Sequence, residues 1–274
     1  MPIVLEEIYM RKKVVVVGAA GRMGQETVRA ILEDKEIDLV GVVGRNDSEH
    51  IGKDIGSLVG VGELGIKLSG NLKETLQSCQ PEVMIDFTVP GVVFRNACLA
   101  LECGVSPIIG ATGLSNDDLD ELDKKANHYG NSVLVAPNFA IGALLLIQAA
   151  KMFAKYFDSV EVIELHHEKK VDAPSGTAIK TLKELAKVRE FNHKELSPNS
   201  SARGELMEGI RVHSIRLPGL VAHEEILFGG VGQTVSLKHD TINRTAFMPG
   251  VILAIKQLTK HKGLIYGLEN LLEL

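Results

Sequence analysis

The stretch from Val14 to Leu32 constrains the fold more than any other. Val14-Val15-Val16-Val17 is apolar at every position, which suits a strand buried on both faces, as in a parallel sheet. It runs into Gly18-Ala19-Ala20-Gly21-Arg22-Met23-Gly24 and then into helical spacing at Val28, Ile31 and Leu32. Strand, glycine turn and helix in that order give a glycine fingerprint its meaning as a dinucleotide site. The spacing is Gly-x-x-Gly-x-x-Gly, with Ala19 where the commoner Gly-x-Gly-x-x-Gly has its first glycine. The physics is unchanged: a tight turn brings backbone N–H groups to a pyrophosphate, and the helix N-terminus adds partial positive charge. A glycine-rich turn without a ligand is the plain alternative.

The next segments repeat the pattern. Asp38 to Arg45 reads as the second strand, whose end usually carries an acid for a ribose 2′-OH. Here that position is Gly44, followed by Arg45 and Asn46, and a guanidinium suits a 2′-phosphate. That tilts the cofactor towards NADPH. Asp47 can serve as a displaced acid, so NADH stays open, and Arg45 as a solvated loop residue is the alternative. Ile51 to Ser69 reads as loop with a short strand near Ile66-Lys67-Leu68, and Asn71 to Ser78 as a short helix. Val83 to Thr88 reads as a strand, Ser106 to Gly113 as a strand and a turn, and Ser132 to Phe139 closes the series. Between them, Val92 to Cys103 is helical with Gly104 as its C′ residue, and a further helix is N-capped at Ser115, with Asp118 three residues on, and ended by Gly130. Strand and helix alternate about six times, which predicts an α/β domain with a Rossmann-type doubly wound parallel sheet. Ligands of such sheets sit beyond the carboxyl ends of the strands, where Gly18, Thr88, Thr112 and Asn138 fall.

From Asn138 the character changes. A long apolar helix (Gly142 to Phe157) precedes a strand (Val160 to Leu165) and a helix from Thr177 to about Arg189. A loop follows from Asn192 to Gly204, then a strand from Ile210 to Leu217. Leu220 to Phe228 and Gln233 to His239 form a predicted hairpin around Gly229-Gly230. Strands dominate, so this is expected to be a second α+β domain, an open mixed sheet with helices on one face. Pro249 to His261 is helical again, with Pro249 at N1 and Gly263 past the end. The expected domains are 1–137, completed by the C-terminal 246–274, and 138–245.

Glu164 to Ala178 concentrates the chemistry: two histidines, Lys169, Lys170 and a Pro174-Ser175-Gly176-Thr177 helix start. Adjacent strand side chains diverge, so His166 and His167 are a poor metal pair, and no third ligand has suitable spacing. No metal is expected. One imidazole suits a proton donor near neutral pH. The free N–H groups and hydroxyls of the helix start suit a carboxylate or phosphate, with Lys170 adding a full charge. A solvated His-Lys segment before an ordinary helix is the alternative.

Thirty basic against thirty-five acidic residues leave a net charge of -5, so no global basic field argues for nucleic acid. No apolar run reaches the roughly 18 residues of a membrane span. Cys79, Cys98 and Cys103 lack metal-ligand spacing and cannot all pair, which points to a reducing compartment and a cytoplasmic protein. Met10 before Arg11-Lys12-Lys13 reads as a second start, with Met1 to Tyr9 a short extension.

The Gly18 to Gly24 turn, Asp86-Phe87-Thr88, Gly110-Ala111-Thr112-Gly113, Asn138-Phe139 and His166-His167 through Lys170-Val171-Asp172-Ala173-Pro174-Ser175-Gly176-Thr177 resemble the motifs of the 4-hydroxy-tetrahydrodipicolinate (dihydrodipicolinate) reductases, in order along nearly the whole chain. The resemblance implies reduction of a small cyclic dicarboxylate by NADH or NADPH in the diaminopimelate route to lysine, by a homotetramer joined through its C-terminal sheets. It implies that His166 is the proton donor and Lys170 a binder of substrate charge, with His167, Gly176 and Thr177 holding carboxylates. By the same resemblance Gly18, Ala19, Ala20, Gly21, Arg22, Met23, Gly110, Ala111, Thr112, Ala136, Pro137, Asn138 and Phe139 line the cofactor, with Arg45 near its adenosine ribose. Gly44, Ala111 and Ala140 depart from the residues often found at those places, and Arg244 and Phe247 resemble positions before the final helix. Two other readings stay open: another nicotinamide dehydrogenase, for which no cysteine is well placed as a nucleophile, and a catalytically inactive nucleotide sensor.

Overall fold

The structure is a computed structural model and describes residues 11–191 and 201–272. The extension Met1 to Tyr9 and most of the Asn192 to Gly204 loop lie outside the described residues. Two units emerge: one runs to Phe139 and resumes at Phe247, and the other is Ala140–Ala246.

The first unit begins β1 (Lys12–Val17), α1 (Arg22–Glu33), β2 (Ile37–Val43), α2 (Ile55–Val59), β3 (Leu68–Ser69) and α3 (Leu72–Cys79). It continues β4 (Val83–Asp86), α4 (Pro90–Glu102), β5 (Ser106–Ile109), α5 (Asn116–Tyr129) and β6 (Ser132–Val135). The second unit holds α6 (Ile141–Ala154), β7 (Ser159–His166), α7 (Gly176–Ala186), β8 (Glu205–Met207), β9 (Ile210–Arg216), β10 (Ala222–Gly230) and β11 (Gln233–Thr241). Back in the first unit come α8 (Met248–Gln257) and β12 (Gly263–Tyr266).

The first unit is a Rossmann-type α/β sheet, parallel throughout, in the order β12-β6-β5-β4-β1-β2-β3. Val14 to Val17 are all buried, as an apolar run in a central parallel strand must be. Val15, Val17 and Met84 pack with Leu76 of α3 and Ala100 of α4. The order reverses at β1, which lies between β2 and β4, so the ligand crevice of this sheet type falls at the carboxyl ends of β1 and β4. The helix ends follow local chemistry. Ser115 and Asp118 form a reciprocal capping box on α5, Gly130 closes it in the left-handed conformation, and Asn71 caps α3.

In the second unit the sheet order is β11-β10-β7-β9-β8, with β7 and β9 parallel and the other neighbours antiparallel. Alternate residues Val160, Val162, Val212, Ile226 and Phe228 turn to one face and meet Leu146, Ala150, Ala178, Leu182 and Leu185 of α6 and α7. Among the described residues no helix is long and apolar enough to cross a membrane.

Three details differ from the sequence-based expectation. The hairpin reverses at Val231 and Gly232: Gly229 and Gly230 continue the ladder opposite Thr234 and Gln233, and Gly232 supplies the positive φ of +71°. The last helix stops at Gln257, and Gly263–Tyr266 adds a seventh strand beside β6, four residues too few to show a period. The short strand is Leu68–Ser69, preceded by Lys67, which bridges back to Asp54 at the cap of α2.

Gly24 shows how tightly α1 seats on its turn. A Cβ there would lie 2.2 Å from the Gly18 carbonyl oxygen and 2.6 Å from the Ala19 Cα, both backbone atoms that cannot yield. Gly24→Ala is therefore expected to cost about 1–3 kcal/mol as an overpacking change, read from the urea unfolding midpoint. Gly91→Ala, at a helical glycine with nothing within 4 Å, is expected to be neutral or stabilising in the same measurement.

Candidate active site

Each unit carries its own part of the chemistry. In the first, Gly18 leaves β1 with φ +78°, and its N–H donates to the Val43 carbonyl at 2.8 Å. The Gly21 N–H closes the turn on the Gly18 carbonyl at 2.9 Å, and Gln25 Nε2 donates to the Ala20 carbonyl at 3.0 Å. Gly21 is the N-cap of α1 and brings no side chain, so the first-turn N–H groups have no side-chain cap. Arg22 is exposed, Met23 and Ala20 are half-buried, and Ala19 is buried. The turn has the form of an anion cradle.

Beside it, β4 ends on Asp86, a buried carboxyl that accepts from the Thr88 N–H and from Asn96 Nδ2, each at 2.7 Å. Burial pushes this carboxyl up and the bonds from Thr88 and Asn96 draw it back. Together they fix the β4–α4 turn so that Thr88 lies against Gly18, with its hydroxyl oxygen buried and unpartnered. A buried hydroxyl without a partner beside a glycine cradle fits a polar ligand passing there. Gly110 leaves space that the Phe87 ring fills, since a Cβ would meet it at 2.4 Å, and Phe87 packs edge-on against Phe139 with centroids 5.8 Å apart. Ala111, Ala136 and Phe139 are buried, Asn138 is half-buried, and Thr112 and Pro137 are exposed. A glycine-rich turn, a helix start and strand ends with small residues are what a dinucleotide needs.

Arg45 and Asp47 are both largely exposed and lie as a loose pair, Arg45 Nε 3.6 Å from Asp47 Oδ1. The two groups that argue for opposite cofactors sit on one loop. Asn46 beside them packs on Gly70, where any Cβ would meet its side-chain oxygen at 2.2 Å.

In the second unit, Glu164 and His166 are two residues apart on β7, so strand alternation turns both to the helix-covered face. Glu164 is 0% exposed. Arg216 donates to it from both terminal nitrogens at 2.9 and 2.7 Å, and the Ser175 N–H donates at 3.2 Å. His166 Nδ1 lies 2.5 Å from Oε2. Burial pushes Glu164 up, but the bonds from His166, Arg216 and Ser214 more than offset it and hold the carboxyl at about 2. An ionised carboxylate only accepts, so His166 donates from Nδ1 and its Nε2 is the atom left to exchange a proton with a ligand.

The rest of the stretch gathers around this pair. Arg216 also donates to the Asp172 carbonyl at 2.8 Å, and the Ser175 hydroxyl caps α7 by accepting from the Ala178 N–H at 3.2 Å. Lys170 Nζ reaches both oxygens of Asp172 at 2.8 Å, which holds the Asp172 carboxyl below its ordinary range. His167, one step past the strand, is exposed. Gly176 opens α7, exposed, with nothing within 4 Å of where a Cβ would be; Thr177 is half-buried. The stretch thus ties His166, the Ser175 N–H at the start of α7 and, through Asp172, Lys170 to one carboxylate–guanidinium pair. Among the described residues no group of three or more His, Cys, Asp and Glu is placed to hold a metal ion.

Sequence reasoning did not single out Glu164, Asp172 or Arg216. Glu164 had a usable signal, because an acid two positions before a histidine in an alternating strand shares its face. Arg216 had none, since it joins Glu164 across 52 residues.

Comparison with known proteins places both units. Residues 12–139 match the family model "Dihydrodipicolinate reductase, N-terminus", and residues 142–272 match "Dihydrodipicolinate reductase, C-terminus". The 4-hydroxy-tetrahydrodipicolinate reductase of Moorella thermoacetica is 48% identical over 267 residues, 95% of this chain and 98% of that protein. That of Syntrophomonas wolfei is 45% identical over 96% of this chain and 99% of its own. The dipicolinate-bound dihydrodipicolinate reductase of Paenisporosarcina sp. TG-14 superposes with a TM-score of 0.85 at 40% identity, covering 96% of this chain and 100% of that one. With both family models matched in order across these two units, the chain belongs to the dihydrodipicolinate reductase family.

Proposed function

We propose that the protein reduces 4-hydroxy-tetrahydrodipicolinate to tetrahydrodipicolinate with NADH or NADPH, in the diaminopimelate route to lysine. The carrying observation is the Glu164–His166 pair, a buried carboxylate that fixes one ring nitrogen and leaves the other to a ligand, next to an open helix start and Lys170. Dipicolinate, named as the ligand of the Paenisporosarcina relative, is a ring with two carboxylates, and it supports a cyclic dicarboxylate substrate here. When bound, the reduced nicotinamide supplies a hydride to the conjugated carbon–nitrogen system. Gly18 to Met23, Gly110 to Thr112 and Ala136 to Phe139 would hold that cofactor.

The other roles belong to the second unit. Lys170, His167 and the Gly176-Thr177 start of α7 hold the carboxylates and stabilise charge that develops on the ring. His166 protonates the carbon neighbouring the one reduced, from Nε2, with its ring orientation fixed by Glu164. Lys170 is bound to Asp172, so a substrate carboxylate would take the place of the Asp172 carboxylate at Nζ. The resemblance to the family also supports a homotetramer, and the sheet face turned away from α6 and α7 carries half-buried Ile163, Leu165 and Leu227 suited to a second sheet. A cytoplasmic location fits the three free thiols.

His166→Gln is expected to lower turnover by about 10²–10⁴-fold, the usual worth of a general acid, in an assay following NADPH oxidation with the cyclic dicarboxylate. Unchanged turnover would remove the role. For the cofactor, Arg45→Ala is expected to raise the KM for NADPH and leave that for NADH within about twofold, since only the former carries a 2′-phosphate for the guanidinium. A wild-type enzyme with strong NADH preference would overturn this reading of Arg45.

A further inference from the structure

Glu224 is a second buried acid under the same stretch. It lies on β10 directly opposite Glu164 of β7 and, on its other side, opposite His239 of β11. Only 5% of Glu224 is exposed, and its Oε1 has no partner. Ser214, Glu164, Glu224 and His239 thus form one row across four strands on the helix-covered face.

The row does not hold enough positive charge for two carboxylates. Arg216 gives both terminal nitrogens to Glu164. Burial disfavours the charged form of His239, so that ring is a poor partner for a second carboxylate. The buried residues of α6 and α7 include no lysine, arginine or acid, and Lys151 and Lys187 pair with Glu184. On β10 itself the same-face neighbours are Ala222 and Ile226. Thr181 of α7 brings a hydroxyl towards Glu224 but no positive charge. With no cation answering it among the described residues, the carboxyl avoids a second buried charge beside Glu164 by keeping its proton.

We propose that Glu224 is a positioning residue for His166: as a protonated acid it presents no second charge to Glu164, so that Glu164 stays on Arg216 and His166. The inference rests on the reading of His166 as proton donor. Burial, with the nearby Glu164 charge adding to it, pushes Glu224 up to about 7, against the weaker opposing bond from Thr181. The sign follows. The raised carboxyl contributes stability that is complete below the ordinary carboxylate range and is lost as pH rises through about 7. Above that pH two negative charges share one row, and the Glu164–His166 alignment is the element that gives way.

The test compares wild type, Glu224→Gln and Glu224→Ala. With one titration at about 7, wild-type kcat is expected to fall about tenfold by one pH unit above the midpoint. Glu224→Gln, neutral at every pH and close to the acid in size, should lack that limb, and it should restore the kcat lost in Glu224→Ala. An alkaline limb shared by wild type and Glu224→Gln would overturn the proposal, as would failure of Gln to rescue Ala. In the ligand-free protein, ¹³C NMR of the glutamate carboxyls should show one that titrates near neutrality and vanishes in Glu224→Gln. The His166 Nδ1–H signal should be lost on that titration in wild type and persist in Glu224→Gln. A Glu224 carboxyl already ionised at pH 6 sinks the idea. These two spectra need no turnover, so a wild-type chain that fails to reduce the dicarboxylate would remove the proposed activity without deciding the fate of Glu224.

Discussion

A carboxylate with no exposed surface persists in a folded chain only when its charge is answered, and the second unit is built around that requirement at Glu164. Arg216 meets it with two bonds, the Ser175 N–H with a third and the His166 ring with a fourth. Those partners come from β9, from the entry to α7 and from β7 itself. One buried charge therefore locks together the strand that ends in His166 and the start of α7. Removing a partner from such a buried pair typically costs about 3–5 kcal/mol, because the remaining charge is stranded. The order of the site and the stability of the unit are the same interaction seen twice.

The first unit reaches its ligand-facing geometry by a different route, through absence of side chain rather than charge. Gly18 takes a left-handed turn, Gly24 lets the backbone of α1 touch that turn, and Gly110 leaves room for the Phe87 ring. Asp86 is the exception, a buried acid whose two bonds hold Thr88 and α4 in place. Its environment is the reverse of that at Glu164: burial is opposed by neutral donors alone, and the carboxyl is drawn up rather than down. The contrast follows from the partner, since a guanidinium stabilises the ionised form far more than an amide does.

Legibility in the sequence followed distance along the chain. The capping box of α5 and the glycine that ends it were visible because cap and partner lie three residues apart. His166, Lys170 and the Gly176-Thr177 helix start could be picked out for the same reason, lying within one short stretch. The hairpin was harder. Gly229, Gly230 and Gly232 all permit a turn, and which one supplies it depends on how far the ladder with β11 runs. β12 was invisible because four residues carry no measurable period, and its place is set by the open edge of β6.

The amino-acid sequence by itself determined the strand and helix alternation, the glycine turn, the change of character after Asn138 and the residue types available for proton transfer and anion binding. Period, turn chemistry and capping act within a few residues, so they can be read in line. Tertiary structure alone decided that Arg216 neutralises Glu164 and that Glu224 lies across the sheet from it. Electrostatic partnership depends on distances through space and on exclusion of water, and neither exists until the sheet has paired β7 with β9 and β10 beneath α6 and α7.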